Sequence, residues 1–180
     1  MSINLLVPDE DAAVIWRGPL VPGAVRQFWT DVEWGQLDYL LVDLPPGTFD
    51  TGLTVTQNLP VDRVIVVTTP QELAAIEVCK AVHMAGQLNV RGLGVVENMS
   101  CFVCPDTDKR HESFGPSHAD QVAATAGAPV LARLPMDPQI AALCDAGDVA
   151  SAARPEIEAL ATALSRLALV SPAAAMVSNR

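Results

Sequence analysis

Lysine is nearly absent from this chain: among its 180 residues only Lys80 and Lys109 carry one. Lys80 precedes Ala81 and Lys109 precedes Arg110, so the sequence contains no Gly-rich loop ending in Gly-Lys-Ser/Thr. A loop of that kind holds phosphates with backbone N–H groups and its lysine, and that cradle is excluded here. Basic residues are few altogether, and the formal charge of −10 argues against non-specific binding to nucleic acid or an anionic membrane surface. Aromatic residues make up only 4%, while Ala, Val and Leu abound, a balance that fits an α/β protein with one real core. No secretory signal is read at Met1 to Val7, which is too short and lacks a basic flank. The Ala-rich stretch from Leu160 to Val177 is interrupted by Arg166 and Pro172, and reads as a core-packing helix and a loose tail rather than a membrane span. Cysteine is sparse too: Cys79, Cys101, Cys104 and Cys144. Without a secretory signal they suggest a reducing cytoplasm, and metal or redox use over a disulfide framework. No Ser-His-Asp, Cys-His or paired-carboxylate arrangement stands out by spacing, so no other type of hydrolase is expected.

What is present is organised around Asp38 to Thr48, Asp-Tyr-Leu-Leu-Val-Asp-Leu-Pro-Pro-Gly-Thr. Tyr39 to Leu44 is apolar except for Asp43, as suits a strand buried on both faces of a parallel sheet. Asp43 then stands at the carboxyl end of the strand, where open α/β sheets bind ligands. An unpaired carboxylate there is costly to bury, so it should hold a cation or a hydrogen-bond partner. Pro45 and Pro46 cannot continue a ladder, and Gly47 permits a turn closed to other residues. The pattern looks like a Walker-B aspartate with a phosphate-sensing switch loop; it also suits an ordinary strand and turn.

In chain order, Ala13 to Trp16 reads as a short strand and Leu20 to Trp34 as an amphipathic helix with Pro22 in its first turn. Thr51 to Asn58 is a short helix and Arg63 to Thr68 a buried strand. Thr69-Pro70-Gln71-Glu72 has the form of a capping box, and the helix after it carries Cys79 on its core face. Gly92 to Glu97 is a further strand; its Gly-x-Gly lacks the third glycine and opens no helix, so it does not indicate a dinucleotide site. Asn98 to Pro116 reads as a long loop, Ser117 to Ala126 as a helix closed by Gly127, and Val130 to Leu134 as a strand. Asp137-Pro138 starts a short helix on which Cys144 is expected in the core, and the last helix runs from about Pro155 to Leu169. His83 reads as an ordinary surface or core histidine. Strands alternating with helices predict a single α/β domain over residues 1–180, doubly wound around a mainly parallel sheet, with 155–180 as its last helix and tail. The strands ending near Asp43, Thr68, Glu97 and Leu134 should all run the same way.

The order of these signals resembles a known family. Trp16-Arg17-Gly18-Pro19, the Asp-Leu-Pro-Pro-Gly-Thr loop, Val67-Thr68-Thr69-Pro70-Gln71, Glu97-Asn98-Met99-Ser100, Phe102-Val103-Cys104-Pro105, Lys109-Arg110-His111-Glu112 and Leu134-Pro135-Met136-Asp137-Pro138 follow the sequence order of the Mrp/ApbC proteins. Those are MinD-like P-loop ATPases that carry iron–sulfur clusters. The resemblance covers roughly residues 1 to 150. It implies ATP with Mg²⁺, apo iron–sulfur client proteins and a homodimer in the cytoplasm. It further implies that Asp43 acts on Mg²⁺ through water, that Gly47 and Thr48 belong to the switch loop, that Asn98 reads the adenine edge, and that Pro135 to Pro138, with Asp137 among them, passes near the base.

Two departures qualify what is implied. Met1-Ser2-Ile3 reads as an internal stretch of the family, so the chain resembles its C-terminal two-thirds: a P-loop NTPase fold without its first strand and phosphate loop. Losing even three of that loop's charge-assisted hydrogen bonds removes about 5–9 kcal/mol, or roughly 10³- to 10⁶-fold in affinity. Whether such a chain is an ATPase stays open. The family also carries Cys-Pro-x-Cys, where this chain has Cys104-Pro105-Asp106-Thr107; Cys101 instead forms Cys-x-x-Cys with Cys104. Two thiolates cannot complete a four-iron cluster, which a two-fold dimer sharing one [4Fe–4S] cluster through Cys101 and Cys104 would do. Zinc held by Cys101, Cys104 and His111, with His118, is a second reading, and two metal-free loop thiols a third. The function expected is that of an iron–sulfur cluster carrier. The alternatives are a non-catalytic metal-binding or dimerisation module, or a truncated gene product.

Overall fold

The computed structural model describes residues 20–44 and 50–169. The strand expected over Ala13 to Trp16, the switch-loop residues Gly47 and Thr48, and the tail beyond Leu169 lie outside the described residues. The chain divides into two compact units, Met1–Val61 and Asp62–Arg180.

In the first unit, α1 (Leu20–Thr30) and α2 (Asp50–Asn58) pack on each other, and Ala24 and Val55 are buried. Trp34 donates its indole N–H to the Phe28 carbonyl at 3.1 Å, which folds the chain back after α1 ends. The expected strand over Tyr39 to Leu44 does not form: the segment is irregular, and Leu41 is 82% exposed. The cause is missing company. An apolar run of this sort is stable as a strand only with a ladder beside it and cover on both faces. Among the described residues nothing pairs with it.

The second unit holds a three-stranded parallel sheet in the order β1 (Arg63–Thr68), β2 (Arg91–Glu97), β5 (Val130–Arg133). The strands ending at Thr68, Glu97 and Arg133 therefore run the same way, as expected of them. Helices α3 (Glu72–Gln87) and α4 (Ala119–Ala126) pack against the sheet and each other, closing a core of Ala75, Val95, Val122 and Ala123. Gly94 lets β2 lie close to its neighbour: a Cβ there would sit 2.2 Å from Leu131 Cγ. Cys79 packs on this core and meets Thr125 Oγ1 at 3.7 Å. Cys144, expected inside, is exposed on α5 (Pro138–Asp145). The last helix, α6 (Pro155–Leu169), packs on β5 and has Glu156 and Glu158 in its first turn, where the helix dipole favours acids.

Two local expectations are corrected. The capping box before α3 is not made: Glu72 is the first helical residue, Gln71 occupies the cap without a side-chain bond, and Thr69 Oγ1 lies 2.5 Å from Gln71 Oε1. Gln71 keeps extended backbone (φ −60°, ψ 134°), so the helix begins two residues later than the box requires. And 98–116 is no structureless loop, since it contains a hairpin of β3 (Phe102–Val103) and β4 (Arg110–His111). Two-residue strands leave almost no periodic pattern to read. Among the described residues no helix is long and apolar enough to cross a membrane.

Candidate functional site

The carboxyl ends of parallel strands converge on one edge of the sheet, and the second unit gathers its functional-type residues there. Asn98 follows β2 directly and donates its backbone N–H to the Thr68 carbonyl at 2.8 Å. Its side-chain Oδ1 accepts from the Met99 amide at 2.9 Å, and Met99 adopts φ 54°, a left-handed turn that aims the chain into the hairpin. The segment that follows β5 continues alongside, with Met136 bridged to Phe102. Leu134 N–H donates to Glu97 O at 2.8 Å, Ser100 N–H to Leu134 O at 2.9 Å, and Met136 N–H to Cys101 O at 2.7 Å. These three bonds place Asn98 and the segment Pro135 to Pro138 in adjacent loops.

Asp137 has a positional task in that segment. It caps α5, its Oδ1 accepting from Gln139 N–H at 2.8 Å, while Oδ2 accepts from Arg154 Nε at 2.5 Å. The Arg154 hydrogen bond first, and then the Gln139 amide, hold the Asp137 carboxyl below its ordinary range. Pro138 takes the first helical position, where its missing N–H costs nothing. Asp43 belongs to the first unit and stands exposed in the irregular segment.

The cysteines differ sharply. Cys104 N–H donates to Lys109 O at 3.0 Å, which extends the β3–β4 pairing by one step and puts Cys104 at the start of the tip. The tip folds back through Asp108 N–H to Cys104 O at 2.9 Å, with Asp108 left-handed at φ 52°. This turn brings Thr107 onto the Cys104 sulfur. The Thr107 hydroxyl first, then the Asp106 amide, lower the pKa of the Cys104 thiol. Cys101 is buried, and Arg110 Nη2 points at its sulfur from 3.2 Å. Three residues apart on extended chain, Cys101 and Cys104 stand on opposite faces of the ribbon.

The four residues of the zinc reading are not gathered at one point. Among the described residues no three His, Cys, Asp or Glu side chains are placed to hold a metal ion. His111 pairs with Phe102 in the hairpin register and is exposed, while His118 Nδ1 lies 2.6 Å from the Pro70 carbonyl, before α4. Thr107 and Arg110 are the residues that sequence reasoning passed over. The signal for Thr107 was its place, the second cysteine position of Cys-Pro-x-Cys; the contact of Arg110 with Cys101 spans the hairpin and has no local signature.

Comparison with known proteins bears on what this edge is for. A family model described as ParA, NUBPL iron-transfer P-loop NTPase, matches residues 1–169. The chain belongs to this family. Among its relatives, an iron-sulfur cluster carrier protein of Methanocaldococcus jannaschii is 49% identical over 138 residues, 76% of this chain and 48% of the relative. One of Saccharolobus solfataricus, bearing the same description, is 42% identical over 149 residues, 82% of this chain and 50% of its own. The chain thus spans about half the length of the curated relatives it matches. Among solved structures, a nucleotide-binding protein of Archaeoglobus fulgidus, in complex with ADP and with cobalt found in it, superposes with a TM-score of 0.70 at 41% identity, covering 77% of this chain and 57% of that one. The MinD cell division protein of Aquifex aeolicus, at 18% identity and TM-score 0.54, shares the fold. The α/β, mainly parallel architecture is thus that of the MinD-like P-loop NTPases, as the motif order implied.

Proposed function

We propose that this NUBPL-family chain takes part in carrying iron–sulfur clusters to apo client proteins in the cytoplasm, as a homodimer that bridges one [4Fe–4S] cargo cluster. The observation that carries the reading is the hairpin tip: Cys104 stands at its start with a thiol acidified by Thr107, in a chain of an iron-transfer family. A thiolate is the form that binds iron. Each chain offers Cys104 and Cys101, and two chains together offer the four thiolates a four-iron cluster needs. Because the two cysteines face opposite sides of the ribbon, loading requires Arg110 to release Cys101 and the hairpin to turn. That demand makes the cluster labile, as suits cargo.

Nucleotide contact is the second part of the reading. Asn98 and the loop Pro135 to Pro138 serve the base, and Asp137 acts by anchoring that loop through Gln139 and Arg154. Asp43 serves Mg²⁺ through water, and Gly47 and Thr48 serve as the switch loop. These 180 residues contain no Gly-Lys-Ser/Thr loop, so by themselves they hold ATP weakly.

Anaerobic reconstitution with iron and sulfide, followed by visible absorbance and sizing, tests the cluster. A cluster on a dimer, lost in the Cys101→Ser, Cys104→Ser double variant, is expected. A cluster that persists in that variant, or sits on a strict monomer, overturns the assignment.

A further inference from the structure

Arg110 directs its charge at a sulfur. The chain carries 21 acidic residues against 11 basic ones, and Arg63, Lys80, Arg133 and Arg154 each pair with a carboxylate. Among the described residues Arg110 forms no such pair; its Nη2 donates to Cys101 Sγ at 3.2 Å. Sulfur is a weak acceptor, and a guanidinium binds a carboxylate better, so the contact is not one that charge alone selects.

The hairpin register brings the two together. Val103 stands opposite Arg110 in the β3–β4 ladder. Residues two apart on extended chain share a face, so Cys101 and Arg110 are diagonal neighbours on one side of the ribbon. Cys104 falls on the other side, with Phe102 and His111. Cys101 is only 3% exposed although Arg110 itself is exposed, so the guanidinium is part of the cover over the thiol. The Cys101 backbone is held separately, its carbonyl accepting from Met136 N–H at 2.7 Å. Arg110 can therefore leave without breaking that bond. Both residues line a cavity of about 740 Å³, which gives a released side chain room.

We propose that Arg110 is a latch on Cys101, so that the two thiols of one chain engage iron in a fixed order, Cys104 first and Cys101 only after Arg110 lets go. The inference rests on the carrier reading for what the thiols receive. Arg110 is a positioning residue in it, since it touches the thiol and not the cargo. Cys104 opens the hairpin tip and is partly exposed, so it meets incoming iron directly. Cys101 is shielded until the latch opens.

The test compares the 180-residue chain with Arg110→Met, which keeps the apolar stem, and Arg110→Lys, which keeps a donor. Alkylation of each cysteine is followed by mass spectrometry above the thiol titration range, so that access alone is compared. Losing a charged donor should speed Cys101 about tenfold to hundredfold in Arg110→Met, with Cys104 changed less than about twofold and Arg110→Lys in between. Equal acceleration of Cys101 and Cys104 would mean a loosened hairpin. An unchanged Cys101, or Arg110→Lys as fast as Arg110→Met, would mean that the thiol is covered without this hydrogen bond. Either result overturns the latch. Anaerobic reconstitution of the same chains separates the latch from the carrier reading. Cluster should form faster on Arg110→Met than on the parent chain, and equal rates overturn the order of uptake. If no cluster forms on any of them, the carrier reading and the order of uptake both fall, while the alkylation rates still decide the latch.

Discussion

At the scale of single residues, the hairpin tip turns on one hydroxyl. Thr107 stands where the motif resemblance implies a second cysteine, and its hydroxyl lowers the pKa of the Cys104 thiol by hydrogen bonding. Thr107→Val should therefore raise the Cys104 pKa, seen as a rightward shift in the pH dependence of its alkylation rate; an unchanged midpoint would show that the Asp106 amide suffices. Thr107→Cys makes the opposite change, bringing a second thiol to the first without turning the ribbon over. Reconstituted cluster should then survive longer in air than in the unmodified chain, measured as the decay of visible absorbance. Asp137 carries a pH signature. Its folded pKa is depressed, so its contribution is present above the ordinary aspartate value of about 3.9 and is lost as pH falls through the depressed value. Asp137→Asn should flatten the acid limb of the stability curve. As the α5 cap, Asp137 replaced by Ala should cost about 0.5–2 kcal/mol near neutral pH, read by denaturant unfolding.

At the scale of elements, the sheet depends on a close approach that no hydrophobic pattern announces. At Gly94 an added methyl would fall inside the Leu131 side chain. Gly94→Ala should destabilise the second unit by about 1–3 kcal/mol, and pairing it with Leu131→Ala should recover part of that loss. If both single variants simply add, the two positions do not share the space and the close-packing account fails. The elements themselves were readable to different degrees. α4, α5 and α6 announce themselves through Gly127, Asp137-Pro138 and Pro155, because caps and breakers act within a turn of the residues they punctuate. The β3–β4 hairpin did not, since two residues per strand are too few to show alternation.

At the scale of the whole chain, these 180 residues contain no Gly-Lys-Ser/Thr loop to hold a nucleotide's phosphates. Calorimetric titration of Mg-ATP into the 180-residue chain should show no binding in the low micromolar range, since base and metal contacts alone leave the phosphates unheld. A low-micromolar dissociation constant would require a phosphate site of another kind. The motif order along the chain was enough to point to a MinD-like iron–sulfur family, because seven short signals in one order rarely coincide by chance. The same sequence also determined that β1, β2 and β5 would run parallel, since helices of sufficient length separate them and only crossover connections fit. What it did not determine is whether Tyr39 to Leu44 would be a strand. Its apolar run satisfies every local criterion, yet a strand exists only through hydrogen bonds to chain distant in sequence, and among the described residues none stands beside it. For the same reason only the tertiary structure decided that Cys101 is buried under Arg110 while Cys104 keeps Thr107 at its sulfur, and that Glu97 ends β2 with one oxygen lacking a donor. Those facts depend on which face a residue takes and what crosses from another strand. Pattern fixes the period of a segment; packing against the rest of the fold chooses the side.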